Sequence, residues 1–189
     1  MFNTTIATQI YAKICFEATN SQKKIIENLS EYLSDDDFSR IFVLNGFAGT
    51  GKTTLIAALV AALKELRIKP VLLAPTGRAA KVLARYCGEQ ALTIHKRIYR
   101  QRTNADYESK FSLDFNREQG AVFIVDEASM LSDSTGDGAL FGSGSLLEDL
   151  VSYVRSGRGC RLILVGDSAQ LPPVGCDFSP ALDPATVSR

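Results

Sequence analysis

A chain of 189 residues is most simply one domain, and it is long enough to bury a sizeable core. Its 21 Lys and Arg residues balance its 21 Asp and Glu residues, so any nucleic-acid site has to be a local patch and not a global field. No apolar stretch reaches the length of a membrane span and no signal peptide opens the chain, which favours a cytoplasmic protein.

Four short apolar runs alternate with helical patterns along the chain. The runs occupy residues 41–44, 71–74, 121–125 and 162–165, and helices are predicted over about 21–33, 52–66, 78–86 and 146–154. Each run is continuous in its hydrophobicity, as strands are when a parallel sheet is covered on both faces. The alternation predicts an α/β fold with a doubly wound parallel sheet and helices on both faces.

Two segments interrupt the alternation. Residues 98–119 are polar and charged and are predicted to form an inserted loop or a hairpin. Residues 132–145, "SDSTGDGALFGSGS", are rich in glycine and serine and are predicted to form a mobile surface loop.

The stretch "GFAGTGKT" directly after the first run fits the phosphate-loop pattern G-x-x-x-x-G-K-[ST]. Backbone N–H groups can surround a phosphate chain only where no Cβ blocks them, which explains the glycines. Lys52 supplies a charge to the β- and γ-phosphates, and the Thr53 hydroxyl can ligate Mg²⁺. The predicted nucleotide-binding residues here are Gly46, Phe47, Ala48, Gly49, Thr50, Gly51, Lys52, Thr53 and Thr54.

Polar side chains follow the third and fourth apolar runs, where a parallel sheet binds its ligands. Asp126 is a candidate to hold Mg²⁺ through water, and Glu127 a candidate to polarise the attacking water. In "LVGDSAQLPPVG", Asp167 and Gln170 are placed beside the same phosphates, where the amide of Gln170 can sense the bound nucleotide. Alternatively, Asp167 bonds its own backbone in a capped turn before residues 172–173, and both interpretations are compatible.

Two stretches point to a nucleic-acid backbone. "LAPTGRAAKVLARY" contains the N-terminus of a second helix that can bind phosphate, and the candidate contact residues there are Pro75, Thr76, Gly77 and Arg78. "TIHKRIYRQR" interleaves basic residues with a tyrosine, as in single-strand binding, although a solvated charged face explains it equally well. Its candidates are Thr93, His95, Lys96 and Arg97. His95 by itself is expected to be structural, and with one histidine and four scattered cysteines we expect no zinc site.

The order "GFAGTGKTT", "APTGRAAKVL", "TIH", "VDEASML", "GDSAQLPPVG" resembles the superfamily 1B DNA helicases of the RecD-like group, over roughly residues 16–182. The resemblance implies a RecA-like fold with strand order 2-3-4-1 in a core over 40–182. It also implies ATP and Mg²⁺ as cofactors and single-stranded DNA as partner, with 5′→3′ movement. "FEATNSQ" is similar to the family's adenine-recognition segment, here 16–36 with its leading helix, which makes Gln22 a candidate base reader.

Helicases of this group place ATP between two RecA-like domains, and nothing in this chain resembles the second one. The resemblance therefore implies that the chain is the first motor domain, whose hydrolysis on its own is weak or absent. Two alternatives stay open: a PhoH-like ATPase acting on RNA, and a nucleotide-dependent binding module without turnover. A small-molecule kinase has no use for "PTGRAA" or "GDSAQLPPVG".

Overall fold

A parallel sheet lies at the centre of the molecule. The computed structural model describes residues 2–103, 109–131, 141–170 and 179–183. In this part of the chain the strands are β1 (Ile41–Asn45), β2 (Pro70–Ala74), β3 (Ala91–Thr93), β4 (Tyr99–Thr103), β5 (Ser109–Leu113), β6 (Val122–Val125) and β7 (Arg161–Gly166). Five of them form the sheet, in the order β1-β7-β6-β2-β3 and all parallel.

Helices cover both faces of this sheet. They are α1 (Phe2–Lys13), α2 (Asn20–Ser34), α3 (Lys52–Glu65), α4 (Gly77–Cys87), α5 (Ile94–Ile98) and α6 (Leu146–Ser156), with 3₁₀ turns at Ala128–Met130 and Pro180–Leu182. One apolar cluster joins α1–α4 to one face, and a second cluster joins α5, α6 and the Pro180–Leu182 turn to the other. The doubly wound α/β fold is therefore confirmed.

The four predicted helices agree with α2, α3, α4 and α6 to within two residues at each end. Local signals explain this agreement. Thr19 caps α2 in a reciprocal pair, because its hydroxyl accepts from Gln22 N (3.3 Å) while its own N–H donates to Gln22 Oε1 (3.0 Å). Helix α1 was not predicted; it buries Ile6 and Ile10 against α2 and α3.

The four predicted apolar runs are β1, β2, β6 and β7 in chain order, and their observed sequence across the sheet, β2-β6-β7-β1, is the expected order 2-3-4-1. The strand order therefore confirms the RecA-like arrangement that the resemblance implies. Strand β7 lies between β1 and β6, with Asn45 paired to Gly166 and Val125 paired to Leu164. Because these strands are parallel, their carboxyl ends meet at one edge of the sheet. The loops after β1, β6 and β7 therefore converge there, which positions the site.

Of the two forms predicted for residues 98–119, the structure has the hairpin. Strands β4 and β5 pair antiparallel, from Tyr99 opposite Leu113 to Thr103 opposite Ser109. The hairpin is joined to α5 at its base, where Asp114 N donates to Ile98 O (2.7 Å).

Residues 141–145 differ from the predicted mobile surface loop, because Phe141 and Gly142 contact this hairpin and Ser145 caps α6. The Phe141 ring stacks on Phe111 with 4.6 Å between centroids and 17° between planes, and Gly142 N donates to Phe111 O (3.0 Å). The remainder of that predicted loop, 132–140, lies outside the described residues. Within the described chain, no helix has both the length and the apolar character needed to cross a membrane.

Candidate nucleotide site

The glycine-rich loop connects the end of β1 to the first residue of α3. Gly49 and Gly51 have φ angles of 78° and 85°, the left-handed region that favours glycine. A Cβ on Gly51 would lie 2.9 Å from Gln22 Nε2, so a larger residue there would also displace the Gln22 amide. Within the loop, Thr50 Oγ1 donates to Phe47 O (2.8 Å). The sequence thus forms a strand, a tight loop and a helix N-terminus in succession, as a phosphate cradle requires.

Lys52 carries the positive charge of this loop. Its ammonium donates to the carbonyl oxygens of Gly46 and Phe47, the latter at 2.9 Å. Among the described residues, no carboxylate forms an ion pair with Lys52. The charge is held in place by backbone oxygens and stays available to an anionic ligand.

A cavity of about 400 Å³ brings the predicted phosphate and metal residues together. Its walls come from the loop and α3, from the end of β6 and from the end of β7. The lining residues include Lys52, Thr53, Thr54, Asp126, Glu127, Asp167 and Gln170. Tyr86, from the last turn of α4, also lines it and was missed, because no motif of the sequence marks this position.

The carboxylates after β6 sit in a partly desolvated environment. Burial raises the pKa of Asp126, against the lowering effects of a hydrogen bond from Glu127 N (3.0 Å) and of the nearby Lys52 charge. Burial and then the Asp126 charge raise the pKa of Glu127. The Glu127 backbone has a φ of 56°, a conformation that non-glycine residues seldom adopt.

The donor set in this cavity fits Mg²⁺. A hydroxyl from Thr53 and carboxylate oxygens from Asp126 are the hard oxygen ligands that this cation prefers, and the phosphates of a nucleotide would supply the others. Asp126 and Glu127 are half-buried, and Lys52 is the cation that acts on both of them. Among the described residues, those of this cavity included, no cluster of three or more His, Cys, Asp or Glu side chains could hold a metal without further ligands.

The loop after β7 combines the two interpretations of its sequence. Asp167 is buried and its Oδ1 accepts from Ala169 N (2.9 Å), while Gln170 N donates to Asp167 O (3.1 Å), forming the capped turn. The same turn carries Gln170 to the cavity, where its Oε1 accepts from Ser129 Oγ (3.5 Å). A Cβ on Gly166 would lie 3.0 Å from Ser129 N, so a glycine lets β7 approach the 3₁₀ turn Ala128–Met130 closely.

A second cavity, of about 740 Å³, lies on the other side of the glycine-rich loop. It is more apolar, and its walls include the exposed rings of Phe16 and Phe47 together with Gln22 and Ile25. Besides its bonds in the α2 cap, Gln22 donates through Nε2 to Thr50 O (3.2 Å). The two cavities share Gly49, Gly51, Lys52 and Thr54, so one elongated ligand can occupy both.

The candidates for nucleic-acid contact begin at two neighbouring strand ends. Pro75, Thr76, Gly77 and Arg78 follow β2, while Thr93 is the last residue of β3 and His95 and Lys96 follow it. Both threonines cap helices, because Thr76 Oγ1 accepts from Ala79 N and Thr93 Oγ1 accepts from Lys96 N, each at 3.2 Å. Arg78 and Lys96 are exposed. These residues share the edge of the sheet that carries the nucleotide cavity.

The structure does not bring Arg97 to that edge. Its Nη2 donates to Glu118 Oε1 (2.6 Å), and its guanidinium lies 5.9 Å from the centre of the Phe123 ring. Glu118 also accepts from Lys69 Nζ at 2.8 Å. Burial raises the pKa of Glu118, but the hydrogen bonds and charges of Lys69 and Arg97 outweigh it, so this pKa lies below the ordinary value. Lys69 and Glu118 precede β2 and β6, so this ion-pair group lies at the amino ends of the strands, opposite the predicted contact surface.

The ring of His95 packs against other aromatic rings. Its centroid lies 5.7 Å from that of Tyr99 and 5.2 Å from that of Phe141, and burial lowers its pKa. This environment agrees with a structural role for the residue.

A strand, glycine-rich loop and helix, together with acids from two neighbouring parallel strands, define a phosphate-loop nucleotide-binding protein of the RecA-like α/β type. The family model described as an AAA domain matches residues 17–177 of the chain. The chain belongs to this AAA domain family.

Several proteins are similar in sequence to this chain over most of its length. It is 30% identical over 154 residues to the ATP-dependent RecD2 DNA helicase of Deinococcus radiodurans, covering 82% of this chain and 19% of that protein. It is 35% identical over 158 residues to the RecBCD enzyme subunit RecD of Mycobacterium tuberculosis strain CDC 1551, covering 71% of this chain and 24% of that protein. The chain thus spans a quarter or less of these relatives, and its resemblance to the RecD-like group is confirmed.

The fold is similar to that of a solved helicase. The crystal structure of Pif1 helicase from Candida albicans superimposes with a TM-score of 0.51 and 22% sequence identity, covering 84% of this chain and 34% of that one. At this identity the similarity supports the RecA-like fold alone.

Proposed function

We propose that the chain is the ATP-binding motor domain of an ATP-dependent DNA helicase or translocase that moves 5′→3′ on single-stranded DNA. The observation that carries the proposal is the convergence of Lys52, Thr53, Asp126 and Gln170 on one cavity from three different strand ends. The name of the Deinococcus radiodurans relative, an ATP-dependent RecD2 DNA helicase, supports the same activity for the whole protein. A role in DNA repair or recombination in the cytoplasm is part of this proposal.

The two cavities suit the two ends of ATP. The apolar cavity beside Phe16, Phe47 and Gln22 fits the base, and the glycine-rich loop leads from it to the cavity of acids and Lys52. Backbone N–H groups of the loop and the N-terminus of α3 would bind the phosphates between them. In this placement Gln22 would contact the base, and Lys52 and Gln170 would contact the terminal phosphate.

Glu127 is the proposed general base for the attacking water. Its raised pKa moves it towards neutral pH, where a base accepts protons most effectively. Asp126 and Thr53 would hold Mg²⁺, which supplies charge neutralisation to the phosphates when bound. Related enzymes receive an arginine from a partner domain that is worth about 10³–10⁵ in rate, so we expect the chain on its own to hydrolyse ATP slowly.

Calorimetric titration with ATPγS and Mg²⁺ tests the nucleotide site directly. We expect wild-type protein to bind and Lys52→Ala to lose most of that affinity, because the loop then has no charge for the phosphates. Lys64→Ala, which removes an exposed cation from the far end of α3, is the matched control and should bind normally. Equal affinity of Lys52→Ala and wild type would reject the nucleotide site.

The substrate is tested by measuring the ATPase rate with and without single-stranded DNA or RNA on a protein extended past Arg189, because this chain on its own is expected to hydrolyse ATP slowly. Stimulation by DNA supports the motor-domain proposal, whereas stimulation by RNA alone supports a PhoH-like ATPase. Tight ATP binding that neither polymer changes, with no turnover, identifies a nucleotide-dependent binding module.

A further inference from the structure

One large side chain of α4 is not used for packing. This helix buries Ala80 and Leu83 against the sheet, at 4% and 0% exposure. Tyr86 on its outer side is 64% exposed, one turn after the exposed Val82. The ring therefore contributes little to the core and is accessible to a ligand from solvent.

Tyr86 lines the phosphate cavity together with Thr53, Thr54, Asp126 and Glu127. Of the described residues that line this cavity, Tyr86 is the one with an aromatic ring. It does not line the larger cavity that suits the base. Within the described contacts, its hydroxyl has no hydrogen-bond partner. A phenol hydroxyl is a neutral hydrogen-bond donor, so it can donate to an anionic oxygen without adding charge to the cavity.

The ring is carried on a rigid element. Leu83 is fully buried, Cys87 packs against the α1–α4 cluster, and Gly88 ends the helix with a φ of 65°. Since the last turn of α4 is fixed in this way, the position of Tyr86 at the cavity does not depend on a flexible loop.

We propose that Tyr86 recognises the terminal phosphate and lets the domain distinguish a nucleoside triphosphate from a diphosphate. The inference rests on the proposed function, because it takes the cavity of Lys52, Asp126 and Gln170 as the phosphate site. A ligand whose base occupies the larger cavity reaches Tyr86 only with the far end of its phosphate chain. The hydroxyl then donates to the γ-phosphate, and a diphosphate has no group at that place.

The test is a titration of wild type and Tyr86→Phe with ATPγS and with ADP, each with Mg²⁺. Phenylalanine keeps the ring and removes only the hydroxyl. We expect the dissociation constant for ATPγS to rise about tenfold, the effect of one hydrogen bond to a charged group, while that for ADP changes less than about twofold. Val82→Ala, on the same face one turn away, should change neither constant.

A second variant reports contact directly. The chain contains no tryptophan, so Tyr86→Trp introduces a single indole whose emission should shift with ATPγS and stay unchanged with ADP. Equal responses to the two nucleotides, in either variant, would overturn the role of Tyr86. If wild type binds neither nucleotide, or if Lys52→Ala binds as well as wild type, it is the proposed function that fails.

Discussion

Asn45 and Ser168 are joined by two hydrogen bonds across the carboxyl ends of β1 and β7. Asn45 Nδ2 donates to Ser168 Oγ and Ser168 N donates to Asn45 Oδ1, both at 3.0 Å. One of these residues precedes the glycine-rich loop, and the other belongs to the turn that carries Gln170. The pair therefore ties the phosphate cradle to the proposed sensor.

Removing the Asn45 amide should loosen this connection. We expect Asn45→Ala to lower the free energy of unfolding by about 1 kcal/mol and Ser168→Ala by about half as much, because the second change keeps the bond donated by the backbone. Urea denaturation followed by circular dichroism measures both. Equal losses in the two variants would contradict the two-bond arrangement.

Glu127→Gln should separate binding from hydrolysis. The amide is close to the carboxylate in shape but cannot accept a proton, so we expect ATPγS affinity to stay within about threefold while turnover falls by about 10²–10⁴. Single-turnover ATP hydrolysis by a protein extended past Arg189 measures the rate, because this chain alone is expected to hydrolyse ATP slowly. Turnover equal to wild type would remove Glu127 from the role of base.

Lys96 and Arg97 are neighbours in sequence with different surroundings, which makes them a matched pair. We expect Lys96→Gln to weaken single-stranded DNA binding and to lower the slope of its salt dependence by about 0.7, since one exposed cation is lost. Arg97→Gln should leave the slope unchanged and lower stability by about 1–2 kcal/mol, since it breaks the pair with Glu118. Binding curves at several salt concentrations measure the slope for each variant. A lower slope in Arg97→Gln would show that Arg97 contacts the DNA after all.

The stacking of Phe141 on Phe111 should be measurable as stability. We expect Phe141→Ala to lower the free energy of unfolding by about 2 kcal/mol, because the substitution removes a half-buried ring that contacts the rings of Phe111, Tyr99 and His95. Phe115→Ala is the control, as that ring is 68% exposed and its loss should cost less than about 0.5 kcal/mol. The same loss in both variants would show that the cluster adds nothing.

His95 gives a prediction for pH. Burial lowers its pKa below the usual 6.5, so the unfolded chain binds a proton more readily than the folded one. Its contribution to stability should therefore fall as pH drops below 6.5 and level off once the folded form is also protonated. The chain has one histidine, so its Cε1 proton is identified directly in an NMR titration, where a midpoint at or above 6.5 would contradict the burial effect.

Much of the fold followed from local signals. The strands β1, β2, β6 and β7 are continuous apolar runs, and α2 begins at a capping pair three residues apart. Helix α1 escaped prediction because its buried Ile6 and Ile10 are too few to show a periodic face. Short β3 has half-buried residues only and carries no clear pattern.

The sequence by itself determined the chemistry of the nucleotide site, because the glycines, Lys52 and Thr53 act through their spacing along one loop, and the acids follow apolar strands. Only the tertiary structure decided which partners distant residues find. It paired Arg97 with Glu118, placed Phe141 on the hairpin and brought Tyr86 to the phosphate cavity. The physical reason is that backbone geometry is set over a few residues, whereas a side-chain contact depends on how separate elements pack.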